Sequence, residues 1–234
     1  MLNYNEVTLK YALKPMYKAL NGDNVPATKV TVKGKETIEI LNATLKFNAY
    51  DKIRNLHNDL RYDDHYIKCE IEWYLSQNLS NKDIGKVHHM WANSGDANGM
   101  VNSNYGYLLF SPQNGNQYQN VIKQLKEDKT SRRAVAYYTN PMMHYIGGND
   151  HICTAYVAYT VREDELHAIV SMRSCDVRRG LVMSDLPWQQ YILRQMANEL
   201  YVLPGWIHWH CVSMHMYSKY FHILNDIFLS PDLT

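Results

Sequence analysis

A chain of 234 residues is long enough to bury a substantial core and fits one large domain, spanning 1–234, better than two small ones. Its 24 Lys and Arg stand against 23 Asp and Glu, and a formal net charge of +1 offers no field to recruit duplex nucleic acid, so no stable nucleic-acid partner is expected. Four cysteines (Cys69, Cys153, Cys175, Cys211) lie far apart with no CxxC pair, which excludes a zinc ribbon or a disulfide-dense secreted scaffold and suits buried thiols in a reducing compartment.

From the start of the chain, MLNYNEVTLKYALKP lacks the basic-then-apolar layout of a signal peptide. No apolar run approaches the roughly 20 residues of a membrane span, so a cytoplasmic protein without a membrane partner is expected. Met1 to Leu20 reads as helical, with Leu9, Ala12, Leu13 and Met16 on one face and Pro15 predicting a kink or early stop before Asn21-Gly22-Asp23. Thr28 to Phe47 alternates like a hairpin with a lysine-bearing turn. Asp64 to Leu79 returns to a helical pattern with Cys69, Trp73 and Leu75 inward, and the glycine-bearing stretch from Gly85 to Gly99 reads largely as loop. After a helix over Gln117 to Leu125, three runs rich in Val, Tyr and Ile predict strands: Ala134 to Thr139, Cys153 to Arg162 and Leu166 to Arg173. An amphipathic helix over Leu186 to Leu200, a strand over Ile207 to Tyr217 and a closing helix through Phe228 complete one α+β domain with a mixed or mainly antiparallel sheet.

Several residues could carry chemistry. SMRSCDVRRG, from Ser171 to Gly180, sets three arginines beside a predicted strand, and guanidinium groups grip phosphate oxygens in a bidentate fork. Arg132-Arg133 could supply more of the same, although either cluster alone reads more readily as solvated surface. Cys153 follows a glycine pair, Gly147-Gly148, and a thiol near guanidinium groups has its thiolate favoured; alone it reads as a buried structural cysteine. His215 and Tyr217, in HMYS, alternate onto one face and could hydrogen-bond a sugar hydroxyl. Glu70, Trp91 and Tyr105 carry no signal individually.

Together these pieces resemble the thymidylate synthase family. RSCD followed by Gly180-Leu181 is similar to that family's phosphate-binding strand, Ser131-Arg132-Arg133 to its SRR segment, and HMYS to its HxYS. Cys153 falls at the family's nucleophile position and Glu70, in EIEWY, at its catalytic glutamate. Trp91, fourteen residues before Tyr105-Gly106, resembles a folate-site tryptophan. Within the family NSNYG, Cys153-Thr154, EIEWY and TIEI are more like the deoxycytidylate hydroxymethylases than the synthases. Asp185, in MSDLPW, resembles their cytosine-reading aspartate, because a carboxyl group accepts from the N4 amino group and when protonated donates to N3. Reaching it takes one extra residue after Gly180; an ungapped reading places Ser184 there. Arg178 and Arg179 stand where the family has apolar or aromatic residues.

The resemblance implies a thymidylate synthase-like sheet that dimerises, and transfer of a one-carbon unit from 5,10-methylenetetrahydrofolate to C5 of a pyrimidine nucleotide. Cys153 would add at C6, while Glu70, through water and Tyr105, would move protons. Asp185 would read the base, His215 and Tyr217 would hold the sugar, and Trp91 and Asp176 would contact the folate. Arg173 and Ser174 from one subunit, with Arg132 and Arg133 from the other, would hold phosphate, and Lys33 or Lys35 would close over it. No metal is implied. Deoxycytidylate hydroxymethylation leads; dUMP or CMP hydroxymethylation, C5 methylation, and an inactive nucleotide- or RNA-binding homologue remain as alternatives. The terminal SPDLT lacks the apolar tail that closes over folate in the synthases.

Overall fold

The first helix, α1 (Tyr4–Leu20), runs unbroken through Pro15. Proline there removes one helical hydrogen bond and costs about 3 kcal/mol. Two features offset it. A capping box joins Asn3 and Glu6 at the N-terminus, and Leu9, Leu13 and Met16 are completely buried on either side of the proline. The predicted early stop is therefore corrected by tertiary packing. The computed structural model describes residues 1–139 and 150–229; Gly147-Gly148 and the SPDLT ending lie outside the described residues.

The expected hairpin is present as β1 (Thr28–Val32) and β2 (Lys35–Asn48). Its two-residue turn, Lys33-Gly34, has positive φ at both positions, the geometry that matches the twist of paired strands. The described strands form one seven-stranded mixed sheet in the order β1, β2, β7, β5, β4, β3, with β6 also on β7. Here β3 is Val135–Tyr137, β4 Thr154–Arg162, β5 Glu165–Met172, β6 Cys175–Asp176 and β7 Leu203–Tyr217. Only the pairings of β7 with β5 and β6 are parallel. The sheet is therefore mixed and the fold is α+β, as the alternation of β-rich and helical runs implies.

One face of the sheet is buried, through Val157, Val170, Trp209 and Cys211 among others, beneath α1 and α7 (Leu186–Glu199), and α8 (Phe221–Leu229) packs on α1. Tyr17 of α1 stacks on Phe228 of α8 with ring centroids 5.0 Å apart. The opposite face leaves Tyr137, Tyr156 and Val212 exposed. Among the described residues, no helix is long and apolar enough to cross a membrane.

Two helical expectations change. The second helix, α2 (Asp64–Leu75), stops four residues short of Leu79 and turns Tyr66, Glu70, Trp73 and Tyr74 inward, leaving Leu75 exposed and Cys69 only partly covered. Its phase is set by a carboxylate whose hydrogen bonds are all made inside, which hydrophobic periodicity cannot register. The stretch from Gly85 to Gly99 is not simply loop: α3 (Ile84–Val87) and α4 (His89–Ala92) begin it, and they bury Trp91. The helices α5 (Tyr105–Phe110) and α6 (Gln117–Glu127) then lead to β3.

Candidate active site

Between β5 and β6 the register against β7 is kept, but Arg173 and Ser174 leave the ladder. Beyond β6, an Asp176 oxygen accepts the backbone N–H groups of Arg178 (2.9 Å) and Arg179 (3.1 Å). This cap opens a nine-residue π-helical segment, Val177–Asp185, continuous with α7. Such wide turns concentrate at functional sites, because they carry side chains off the usual helical phase. Here the turn brings Gly180, Ser184 and Asp185 to one cavity of about 230 Å³. Gly180 is needed for close approach: a Cβ there would lie 2.8 Å from an Asp185 carboxylate oxygen. Asp185 occupies the N-cap position of α7 yet makes no capping hydrogen bond. Its carboxyl group faces the cavity instead.

The same cavity is lined by Cys153, from the residue preceding β4, and by Tyr105, Trp91, Asp176, Ser174 and His215. Tyr105 is fixed by three local features. Asn104 caps α5 through the N–H of Tyr107 (2.8 Å) and also donates to the Trp73 (3.0 Å) and Asn78 (2.9 Å) carbonyls. Gly106 lets α5 touch α2, since a Cβ would fall 1.7 Å from the Tyr74 carbonyl oxygen. The Tyr105 ring stacks on Tyr74 at 5.3 Å. Its hydroxyl accepts from Thr154 at 3.0 Å.

Glu70 lies behind this wall. It is 2% exposed and accepts hydrogen bonds from the Tyr66 hydroxyl and the Trp91 indole N–H (2.9 Å). Burial outweighs these bonds and pushes its carboxyl group up to about 7. Asp185 is also pushed up to about 7, first by burial and then by the neighbouring Glu70 charge, with the Tyr105 hydroxyl opposing. Two buried carboxyl groups that titrate near neutrality against one cavity can exchange protons with a bound molecule.

The Arg173 side chain donates to the carbonyls of His151 (2.6 Å) and Ile152 (2.9 Å) and comes within 3.6 Å of the Cys153 sulfur. Even so, burial pushes the thiol up to about 12; Arg173 opposes that rise, while Asp185 and Asp150 add to it. Arg173 favours the thiolate, as expected, but in the free protein loss of water around the sulfur is the larger effect. Asp150 is fixed by the backbone N–H groups of Asn102 and Ser103, both at 2.7 Å.

Other predicted residues lie apart from the cavity. Tyr217 is one alternation beyond His215, against which its ring packs at 5.5 Å, but it does not line the cavity. Lys33 and Lys35 are exposed at the hairpin tip. Arg132 and Arg133 are exposed just ahead of β3, and among the described residues their guanidinium groups have no partner. Tyr105 is brought to Asp185, with no hydrogen bond to Glu70 among those described.

Two participants escaped sequence reasoning. Tyr66 precedes Glu70 by four residues, which places both on one helical face, and that spacing was the available signal. Asp150 gave none. Arg179, left without an account, lines the cavity, donates to the Tyr220 hydroxyl at 3.3 Å and approaches His89 at 3.3 Å; Arg178 lies over the Tyr220 ring. Among the described residues, no cluster of three His, Cys, Asp or Glu could hold a metal.

Comparison with known proteins adds to this geometry. A family model described as thymidylate synthase matches residues 20–228. The deoxycytidylate 5-hydroxymethyltransferases of Enterobacteria phages T4, T2 and T6 are each 33% identical to the chain over 204 residues, covering 82% of it and 80% of the relative.

Proposed function

The chain belongs to the thymidylate synthase family, whose members transfer one-carbon units, and on that premise we propose that it hydroxymethylates C5 of deoxycytidylate. The observation that carries the proposal is the meeting of Cys153 and Asp185 in one cavity, with Arg173 beside the thiol and Glu70 one hydrogen bond behind the wall. Cys153 would attack C6, making C5 nucleophilic. The substrate's phosphate would draw on Arg173 and Ser174, and His215 and Tyr217 would hold the sugar. Near neutral pH, Asp185 can accept from the cytosine N4 amino group and, when protonated, donate to N3. Glu70 would take and return protons at C5 and at the water that completes the hydroxymethyl group.

5,10-Methylenetetrahydrofolate would supply the one-carbon unit. The chain fits such a donor, because Trp91 and Met90 line the cavity as a flat apolar wall. Beside them, Asp176 keeps one carboxylate oxygen without a partner among the described residues, an acceptor for ring N–H groups. A homodimer through the exposed sheet face, with Tyr137, Tyr156 and Val212, would bring the partner's Arg132 and Arg133 to the phosphate. Lys33 would then close over it.

Incubating the purified protein with methylenetetrahydrofolate and each of dCMP, dUMP and CMP, then weighing the products, tests the reading. A dCMP product heavier by CH2O supports it, and one heavier by CH2 overturns the hydroxylating assignment. A uridylate substrate is the second reading, because Ser184 lines the same cavity. An inactive binding homologue would release no tritium from 5-labelled nucleotide.

A further inference from the structure

Cys153 sits on a short segment outside the sheet, just ahead of β4, yet every backbone carbonyl from Asp150 to Cys153 is taken. Arg173 holds three of them, through its side chain at His151 (2.6 Å) and Ile152 (2.9 Å) and through its backbone N–H at Cys153 (3.0 Å). The fourth, that of Asp150, accepts from the Asn102 side chain at 3.1 Å. Asp150 returns the contact. One of its carboxylate oxygens accepts the backbone N–H groups of Asn102 and Ser103, both at 2.7 Å, and the other accepts the Ser103 hydroxyl. Past the cysteine, the Thr154 hydroxyl donates to Tyr105 at 3.0 Å. The thiol is therefore bracketed by two links, at 150 and 154, to one stretch of chain, residues 102–105.

Asp150 has no ion-pair partner among the described residues, although it lines the cavity beside a thiol that must ionise to react. Its negative charge opposes that ionisation. Electrostatics thus gives no reason for a carboxylate at this position. Its hydrogen bonds do, because two oxygens on one short side chain accept from two backbone N–H groups and a hydroxyl at once.

We infer that Asp150 is a positioning residue for the nucleophile: its carboxylate clasps the segment that carries Cys153 to the loop that carries Tyr105, and so holds the thiol toward the bound pyrimidine. The inference rests on the function proposed above and assigns Asp150 no contact with substrate. The competing account is a charge that acts on the thiol through its field alone.

Asp150→Asn and Asp150→Glu separate the two accounts. The asparagine oxygen can still accept both backbone N–H groups while its NH2 donates to the Ser103 oxygen, so the clasp is kept and the charge is lost. Glutamate keeps the charge but is one methylene longer, which displaces the segment. In assays of kcat and KM for dCMP, the Asn variant should stay near wild type. Asp150→Glu and Asp150→Ala should lose roughly 10²-fold in kcat, the scale of about 1 Å of misplacement, with KM little changed because the proposed phosphate and base contacts lie on other residues. An Asn variant as impaired as Ala, or a Glu variant as active as wild type, would overturn the inference.

Alkylation of Cys153 as a function of pH needs no turnover. The charged groups facing the sulfur are Arg173, Asp185 and Asp150, with the Cys211 thiol beside them. Asp150→Asn, by removing one negative charge, should move the curve to lower pH. Asp150→Ala, shown to be folded by its melting transition, should move it further, because an opened segment readmits water to the sulfur. Coincident curves for the two variants would also overturn the clasp. Wild-type protein inert toward every pyrimidine nucleotide would instead sink the proposed function, leaving the alkylation curves to decide whether Asp150 holds the segment.

Discussion

The Arg173 guanidinium stands 3.6 Å from the Cys153 sulfur and does not by itself make that thiol acidic. Two of its donors are committed to the carbonyls of His151 and Ile152, and burial pushes the thiol up to about 12. In the free protein the Cys153 thiol holds its proton at neutral pH. Its alkylation rate should climb with pH through 9 to 11 without a plateau near neutrality, and Arg173→Ala should move the curve to higher pH, because a cation that lowers the thiol is gone. Mass-spectrometric peptide mapping after timed iodoacetamide exposure reads this; a plateau below pH 8 would contradict it.

Glu70 and Asp185 make folding itself depend on pH. Each holds its proton to about 7 when folded, against ordinary values of 4.5 and 3.8. Their contribution to stability is full below those ordinary values and is lost as pH rises through 7, because over that window the folded state binds more protons than the unfolded one. Glu70→Gln removes one of the two groups and lowers the other by removing its neighbour's charge. Thermal melts at pH 5 and pH 8 should show a smaller drop for Glu70→Gln than for wild type, with turnover down by roughly 10²-fold or more. A larger drop would contradict the assignment.

Asp185→Asn tests base recognition. An amide can present its oxygen or its NH2 to either atom of the base edge, so it fits the O4 and N3 edge of uracil as well as cytosine, whereas an ionised carboxylate only accepts and turns O4 away. The ratio of kcat/KM for dCMP over dUMP should fall by about 10²-fold or more, the scale at which a site built around one hydrogen-bonding pattern rejects another. Competition assays with both nucleotides present give the ratio directly, and an unchanged preference would move base reading elsewhere.

Gly180→Ala should separate geometry from folding. Its added Cβ would sit 2.8 Å from an Asp185 oxygen, a contact relieved only by moving the carboxyl group. Misplacement of about 1 Å can cost roughly 10²-fold in turnover. Circular dichroism and melting temperature should stay near wild type while kcat falls; retained kcat would show that Asp185 has room to shift.

The proposal that two subunits share a phosphate site predicts complementation. Arg132→Ala and Cys153→Ala should each be inactive alone, and mixing them after dissociation should regain activity, because a mixed dimer holds one site with both the thiol and the partner's arginine intact. Each subunit exposes Arg132 and Arg133 with no partner of its own among the described residues. Activity that stays absent in a verified mixed dimer would place the phosphate within a single chain.

Much of this was legible in the residues. Alternation revealed the β1–β2 hairpin, runs rich in Val, Tyr and Ile revealed β3, β4 and β5, an apolar run revealed β7, and helical spacing revealed α7, because these patterns are local. The order of short motifs, from EIEWY through RSCD to HMYS, identified the family and the residues most worth testing. Other features depended on contacts distant in sequence. Pro15 stayed helical because residues on both sides of it pack into the core, and the π-helical segment formed around the Asp176 cap and the Gly180 approach. Ser184 and Asp185 competed for one role on paper, yet both face the cavity, and Ser184 lies 3.4 Å from the Tyr74 hydroxyl. Sequence by itself determined which chemical groups are present and in what order; the tertiary structure decided their charge. How strongly a carboxyl group or thiol holds its proton depends on how much water the rest of the chain removes from around it, and that is not a local property of any motif.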